Sequence, residues 1–93
     1  MRRGSGRRVD ANHEVIVEAF RRCGWSVQSL AEIGNGCPDL LVARNWHTLV
    51  VEVKGPKGQI TMDQMTWAAN WKGSMRLVRT VADVEQLTRE FTD

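Results

Sequence analysis

The chain has 93 residues, 42% of them hydrophobic and 26% charged, with a formal net charge of +2. That is the size and composition of one soluble globular domain. No apolar run approaches the roughly 18 residues a membrane span requires, and no signal-peptide core follows the N-terminus, so a cytoplasmic protein is expected.

Cys23 and Cys37 have no zinc spacing and are too few for a disulfide framework, which makes them reduced, partly buried thiols. The charge is unevenly distributed. Arg2, Arg3, Arg7 and Arg8 lie within "MRRGSGRR", and without these four residues 9–93 carry about −2. A Gly/Ser/Arg segment has nothing to pack, so residues 1–9 are expected to form a flexible basic arm, with a single domain over residues 10–93. Such an arm suits phosphate contacts; an unstructured terminus is the plainer alternative.

In chain order, "DANHEVIVEAFRRCG" reads as a helix with Ile16, Ala19, Phe20 and Cys23 on one face. Asp10 or Asn12 can cap it, and Gly24 suits the position just past its end. "WSVQSL" reads as a strand with Trp25 and Val27 alternating. "EIGNGCP" is a turn-rich break, "DLLVAR" a second strand and "TLVVEVK" a third, which Gly55-Pro56 stops. Thr61-x-x-Gln64 is a capping-box signature for a helix running to about Trp71, with Met65, Ala68, Ala69 and either Trp67 or Trp71 as its buried face. Met75–Val78 reads as a short fourth strand. "TVADVEQLTREF" closes the chain as a helix capped by Thr80, with Val81, Val84, Leu87 and Phe91 inward. The order is αβββαβα, and the third and fourth strands should be parallel through a right-handed crossover.

Glu52 and Lys54 sit two apart in the best strand and therefore point to one face. If that face is buried, both charges are costly unless something satisfies them; a solvent-facing strand is the ordinary alternative. A two-residue loop at Asn45-Trp46 sets Asp39 directly opposite Glu52, with Cβ atoms roughly 5 Å apart. A one-residue slip would move Asp39 to the other face unless a bulge restored the phase. Asn-Trp is not a preferred hairpin turn, which leaves the loop open. Two opposed carboxylates repel unless a cation lies between them, and Mg²⁺ takes such oxygen ligands while keeping several waters.

"GNGCPDLLVARNWHTLVVEVKGPKGQITMDQMTWAA" resembles the core of the PD-(D/E)XK nuclease superfamily, and more narrowly its virus-type replication-repair branch, the VRR-NUC domain. Gly36-x-Pro38-Asp39, Glu52-Val53-Lys54-Gly55-Pro56 and Gln64 carry the resemblance, which extends from about Asn12 to Val84. It implies an α/β restriction-endonuclease-like fold with a mixed sheet flanked by helices. It also implies a Mg²⁺- or Mn²⁺-dependent DNA endonuclease. Asp39 and Glu52 would ligate the metal, with the Val53 carbonyl as a further ligand. Glu14 would complete the site directly or through water, with Glu18, one turn on, as its rival. Lys54 would act on the attacking water, and Gln64 would hold the site.

Arg2, Arg3, Arg7, Arg8 and Lys57 are the expected DNA contacts. Trp67 and Trp71, four apart on one helix face, are read as core or interface residues rather than base-stacking platforms, and Trp46 at the hairpin tip as the candidate for stacking on an unpaired base or for a dimer contact. Stand-alone domains of this family and size resemble phage proteins, and some resemble dimeric Holliday-junction resolvases. The expected protein is therefore a homodimer acting on branched DNA in a host or bacterial cytoplasm. A flap or nicking nuclease, or a non-catalytic DNA-binding module, are the alternatives.

Overall fold

The computed structural model describes residues 11–92. The basic arm and the Asp10 cap lie outside them. The elements are α1 (Ala11–Arg22), β1 (Ser26–Ser29), β2 (Leu40–Arg44), β3 (His47–Val53), α2 (Met62–Asn70), β4 (Met75–Val78) and α3 (Val81–Glu90). The order and type of every element agree with the sequence reading. The four strands form one mixed sheet in the order β1-β2-β3-β4, with β3 and β4 parallel and the other pairs antiparallel. None of the described helices is long and apolar enough to cross a membrane.

The sheet has two different faces. On one, Leu40 and Val42 of β2 and Leu49 and Val51 of β3 pack with Ile16 and Phe20 of α1 and Val84 and Leu87 of α3. This is the hydrophobic core, and it follows the 3–4 periodicity of α1 and α3. Trp25 precedes β1 rather than lying in it. It is buried edge-on against Phe20 and Phe91, and its indole N–H donates to Thr88 Oγ1 at 2.8 Å. Gly24 ends α1 with φ +91°, the left-handed conformation a C′ glycine supplies without a Cβ penalty.

The other face belongs to Val50, Glu52 and Lys54, which alternate with the core-facing residues. Four consecutive residues of β3, from Leu49 to Glu52, are buried. The strand is thus covered on both sides, and the solvent-facing alternative for Glu52 does not hold.

Two further expectations are corrected. Asn12 does not cap α1; it lies inside the helix, and its side-chain amide donates to the carbonyls of Lys54 (2.9 Å) and Arg79 (3.4 Å). The helix α2 has no buried residue: Met65 and Ala69 are exposed, and Ala68 is only half-buried. Its hydrophobic content reflects two flanks that the sheet leaves open, so periodicity alone misassigned its inward side. Its N-terminus is fixed by a capping box. Thr61 Oγ1 accepts from the Gln64 N–H at 3.2 Å, and Gln64 Oε1 accepts from the Thr61 N–H at 2.9 Å.

The β2–β3 hairpin turns on Asn45 and Trp46, at φ +51° and +69°, and pairs Arg44 with His47. This is the two-residue loop with positive φ at both positions that fits the twist of a hairpin. Trp46 is unfavourable there, since a non-glycine residue in this region costs roughly 1–2 kcal/mol. Its side chain is fully exposed, at 101% of its reference area. Trp46→Gly removes that strain and loses no packing within the chain, against the usual entropic cost of glycine. Thermal unfolding of the variant at low protein concentration should therefore show a gain of about 0.5–1 kcal/mol. A loss would mean that Trp46 contributes a stabilising contact, such as self-association.

Candidate active site

The hairpin register brings the charged residues together. Leu40 pairs with Val51, so Asp39 stands opposite Glu52, as the two-residue loop requires. The Asp39 backbone is tied to the preceding loop through the Leu30 N–H, and its Oδ2 accepts the Val53 N–H at 2.8 Å. Its carboxyl is thereby fixed across the end of β3. Pro38, fully buried, anchors the approach to this position.

Glu52 is the one buried charged residue among those described, with 3% of its surface exposed. Its Oε2 accepts from Gln64 Nε2 at 2.9 Å and lies 3.4 Å from Lys54 Nζ. Gln64 therefore caps α2 and holds Glu52 at the same time. The capping bond occupies its amide oxygen and so turns the amide nitrogen toward the carboxylate. Glu52 Oε1 is buried with no hydrogen-bond partner among the described residues.

Burial pushes the Glu52 carboxyl up to about 7, the neighbouring charge of Asp39 pushes the same way, and Lys54 opposes both. The same surroundings act on Cys37. Burial first, then the charges of Asp39 and Glu52, hold its thiol above the ordinary range. It is thus a protonated packing residue rather than a nucleophile.

Lys54 is gripped by its backbone on both sides. Its N–H donates to Val78 O at 3.1 Å, its carbonyl accepts from Asn12, and the next carbonyl, that of Gly55, accepts from Arg79 Nη1. Asn12 and Arg79 are site-building residues that the sequence reading missed. Their partners lie 42 and 24 positions away, and no local pattern marks such a bond.

The donor set suits a hard divalent cation. Two adjacent carboxylates, one with an unpartnered buried oxygen, are what Mg²⁺ uses when waters complete its octahedron. Among the described residues, no group of three or more His, Cys, Asp or Glu side chains is poised to hold a metal. Glu14 and Glu18 are both exposed on α1 and do not join Asp39 and Glu52 in such a cluster. Lys57 is exposed in the loop that follows β3. Arg2, Arg3, Arg7 and Arg8 lie outside the described residues.

A search among curated proteins finds no match. A solved structure described as a VRR_NUC domain superposes with a TM-score of 0.68 at 24% sequence identity, covering 84% of this chain and 90% of that one. At that identity the likeness speaks for the fold. The sequence model of the VRR-NUC domain matches residues 7–86, a span that contains the hairpin, both acids, the lysine and the capping glutamine. With that model covering most of its length, the chain belongs to the VRR-NUC family and carries that family's nuclease fold.

Proposed function

We propose that this protein is a Mg²⁺- or Mn²⁺-dependent endonuclease that hydrolyses DNA phosphodiester bonds. The observation that carries this reading is the buried, unpartnered Oε1 of Glu52 beside Asp39, on a sheet face that also presents Lys54. A structural strand has no use for a carboxylate that burial holds against its ionisation.

Asp39 and Glu52 would hold the cation, with the Val53 carbonyl as a further ligand and Glu14 acting through water. A divalent ion bound there supplies Lewis acidity to a phosphoryl oxygen and lowers the pKa of water. Lys54, fixed by its backbone and by its bridge to Glu52, orients the attacking water and offsets charge growing on the phosphoryl oxygens. Gln64 keeps Glu52 from turning away. Mg²⁺ or Mn²⁺ should support cleavage, chelation should abolish it, and Ca²⁺ should allow binding with little turnover. Lys54→Ala should retain metal binding and cleave about 10²–10³-fold more slowly. A time course on linear, flap and four-way DNA, with and without excess chelator, checks both. Full activity under chelation removes the metal from the reading, and a parent rate for Lys54→Ala removes the lysine.

Branched DNA is the proposed substrate and a homodimer the proposed state. The domain is small, and exposed apolar side chains (Met62 at 74%, Met65 at 50% and Trp46) offer surface for a second copy. Two copies about a two-fold axis would present two sites to symmetric phosphates. The basic arm and Lys57 are proposed to contact the phosphate backbone without selecting sequence. Action in a bacterial or phage-infected cytoplasm fits this reading.

A further inference from the structure

Between α2 and the loop that carries Asn35 lies a groove of about 480 Å³ lined by Asn35, Asp63, Thr66, Trp67, Asn70 and Trp71. Both of its walls lead into the site. Asn35 lies on the loop that runs directly to Asp39, and Asp63 adjoins Gln64 on α2. The walls are clamped where Gly36 meets α2: a Cβ on Gly36 would lie 2.3 Å from Asp63 O.

Trp67 and Trp71 stack on each other, with ring centroids 4.9 Å apart and planes at 24°. Trp71 is fixed further by its indole N–H, which donates to Ser74 O at 3.1 Å, and by close packing of its ring over Gly73. It still has 41% of its surface exposed. This is a rigid aromatic pair left partly open on a helix with no buried residue.

We infer that this groove is a subsite for one unpaired nucleobase flanking the scissile phosphate, with Trp67 and Trp71 as the stacking platform. The inference rests on the nuclease reading of Asp39, Glu52 and Lys54. The lining selects the occupant. It contains no Lys or Arg, and Asp63 would repel a phosphate. Asparagine amides and a carboxylate are instead the groups that pair with base edges, the carboxylate accepting from an exocyclic amine. Aromatic faces accept any base by stacking.

The exposed apolar stripe of Met62, Met65 and Ala69 lies on the opposite flank of α2, so a second copy has a different surface to use. From Gln64 the helix rises on the order of 5 Å to Trp67 and 10 Å to Trp71, a reach of one to three nucleotide steps.

The test uses the full chain with Ca²⁺ and short DNAs carrying one unpaired nucleotide, the same position made abasic, or a fully paired duplex. The base should tighten binding about 5- to 150-fold over the abasic site, a gain that Trp67→Ala removes and Trp67→Phe largely retains. Affinity for the paired duplex should be the same in all three proteins. Equal binding of the base-bearing and abasic DNAs by the parent protein overturns the assignment, and so does an equal loss on every DNA in Trp67→Ala. Conversion of a dimer to a monomer by Trp67→Ala in sedimentation equilibrium also overturns it, since the groove would then be an interface. Cleavage is measured separately with Mg²⁺. Base-dependent binding without any cleavage by the parent defeats the nuclease reading alone, and cleavage without base-dependent binding defeats the subsite alone.

Discussion

Glu52→Gln should make the metal-free protein more stable at pH 8 while abolishing metal-dependent cleavage. Burial and Asp39 raise the Glu52 pKa from an ordinary 4.5 to about 7, so the folded state favours the protonated acid more than the unfolded chain does. The sign follows from proton linkage. Stability is fully present below about pH 4.5, falls as pH rises between the two values, and reaches its floor above about 7. At roughly 1.4 kcal/mol per pH unit the loss is at most about 3 kcal/mol. In a domain of this size that corresponds to roughly 10 °C or more in Tm.

Glutamine has nothing to ionise, and its amide oxygen can still accept from Gln64. Between pH 5 and 8 the variant should therefore lack the decline in Tm that the parent shows. Mg²⁺ should stabilise the parent more at pH 8 than at pH 5, because a proton and a cation compete for the same oxygens. Calorimetry of both proteins across that range, with and without Mg²⁺, decides the matter. Parallel Tm profiles for parent and variant would show that Glu52 is not held against its ionisation. The expected result would place a functional group in direct conflict with the stability of its own domain, as active-site residues often are.

The framework of this site was legible because it depends on local signals. Alternation in β3 placed Glu52 and Lys54 on one face, and the hairpin loop set Asp39 across from them. The capping box marked the start of α2 and Gln64 together. Burial of the face was not legible, because Val50 and Glu52 are covered by parts of the chain whose approach leaves no periodic trace. The inward side of α2 was misread for a related reason. Its contacts are an end-on hydrogen bond and a glycine clamp, whereas periodicity reports only broad apolar faces. Asn12 illustrates the same limit: near a helix start, an asparagine that caps and one that reaches across to Lys54 look identical in sequence.

Gly36→Ala should cost the domain about 2–5 kcal/mol and most of its activity, although Gly36 bears no side chain. Its φ is +84°, where alanine pays roughly 1–2 kcal/mol. The added Cβ would stand 2.3 Å from Asp63 O and 2.6 Å from Asp63 C, and backbone atoms of a helix cannot rotate aside. Overpacking of this kind adds roughly 1–3 kcal/mol. The part that yields is α2, since no residue of it is buried. Its displacement stretches the bond from Gln64 to Glu52 and separates the walls of the aromatic groove. Gly34 provides the control. It has φ +73°, but a Cβ added there would meet nothing within 4 Å. Gly34→Ala should therefore cost only the conformational share, about 1–2 kcal/mol, and leave cleavage intact. Denaturant unfolding and cleavage rates of the two variants isolate the contact from the backbone conformation. Equal losses in both would mean that the Gly36–Asp63 clamp does not position α2, and that Gln64 is held at Glu52 by its cap alone.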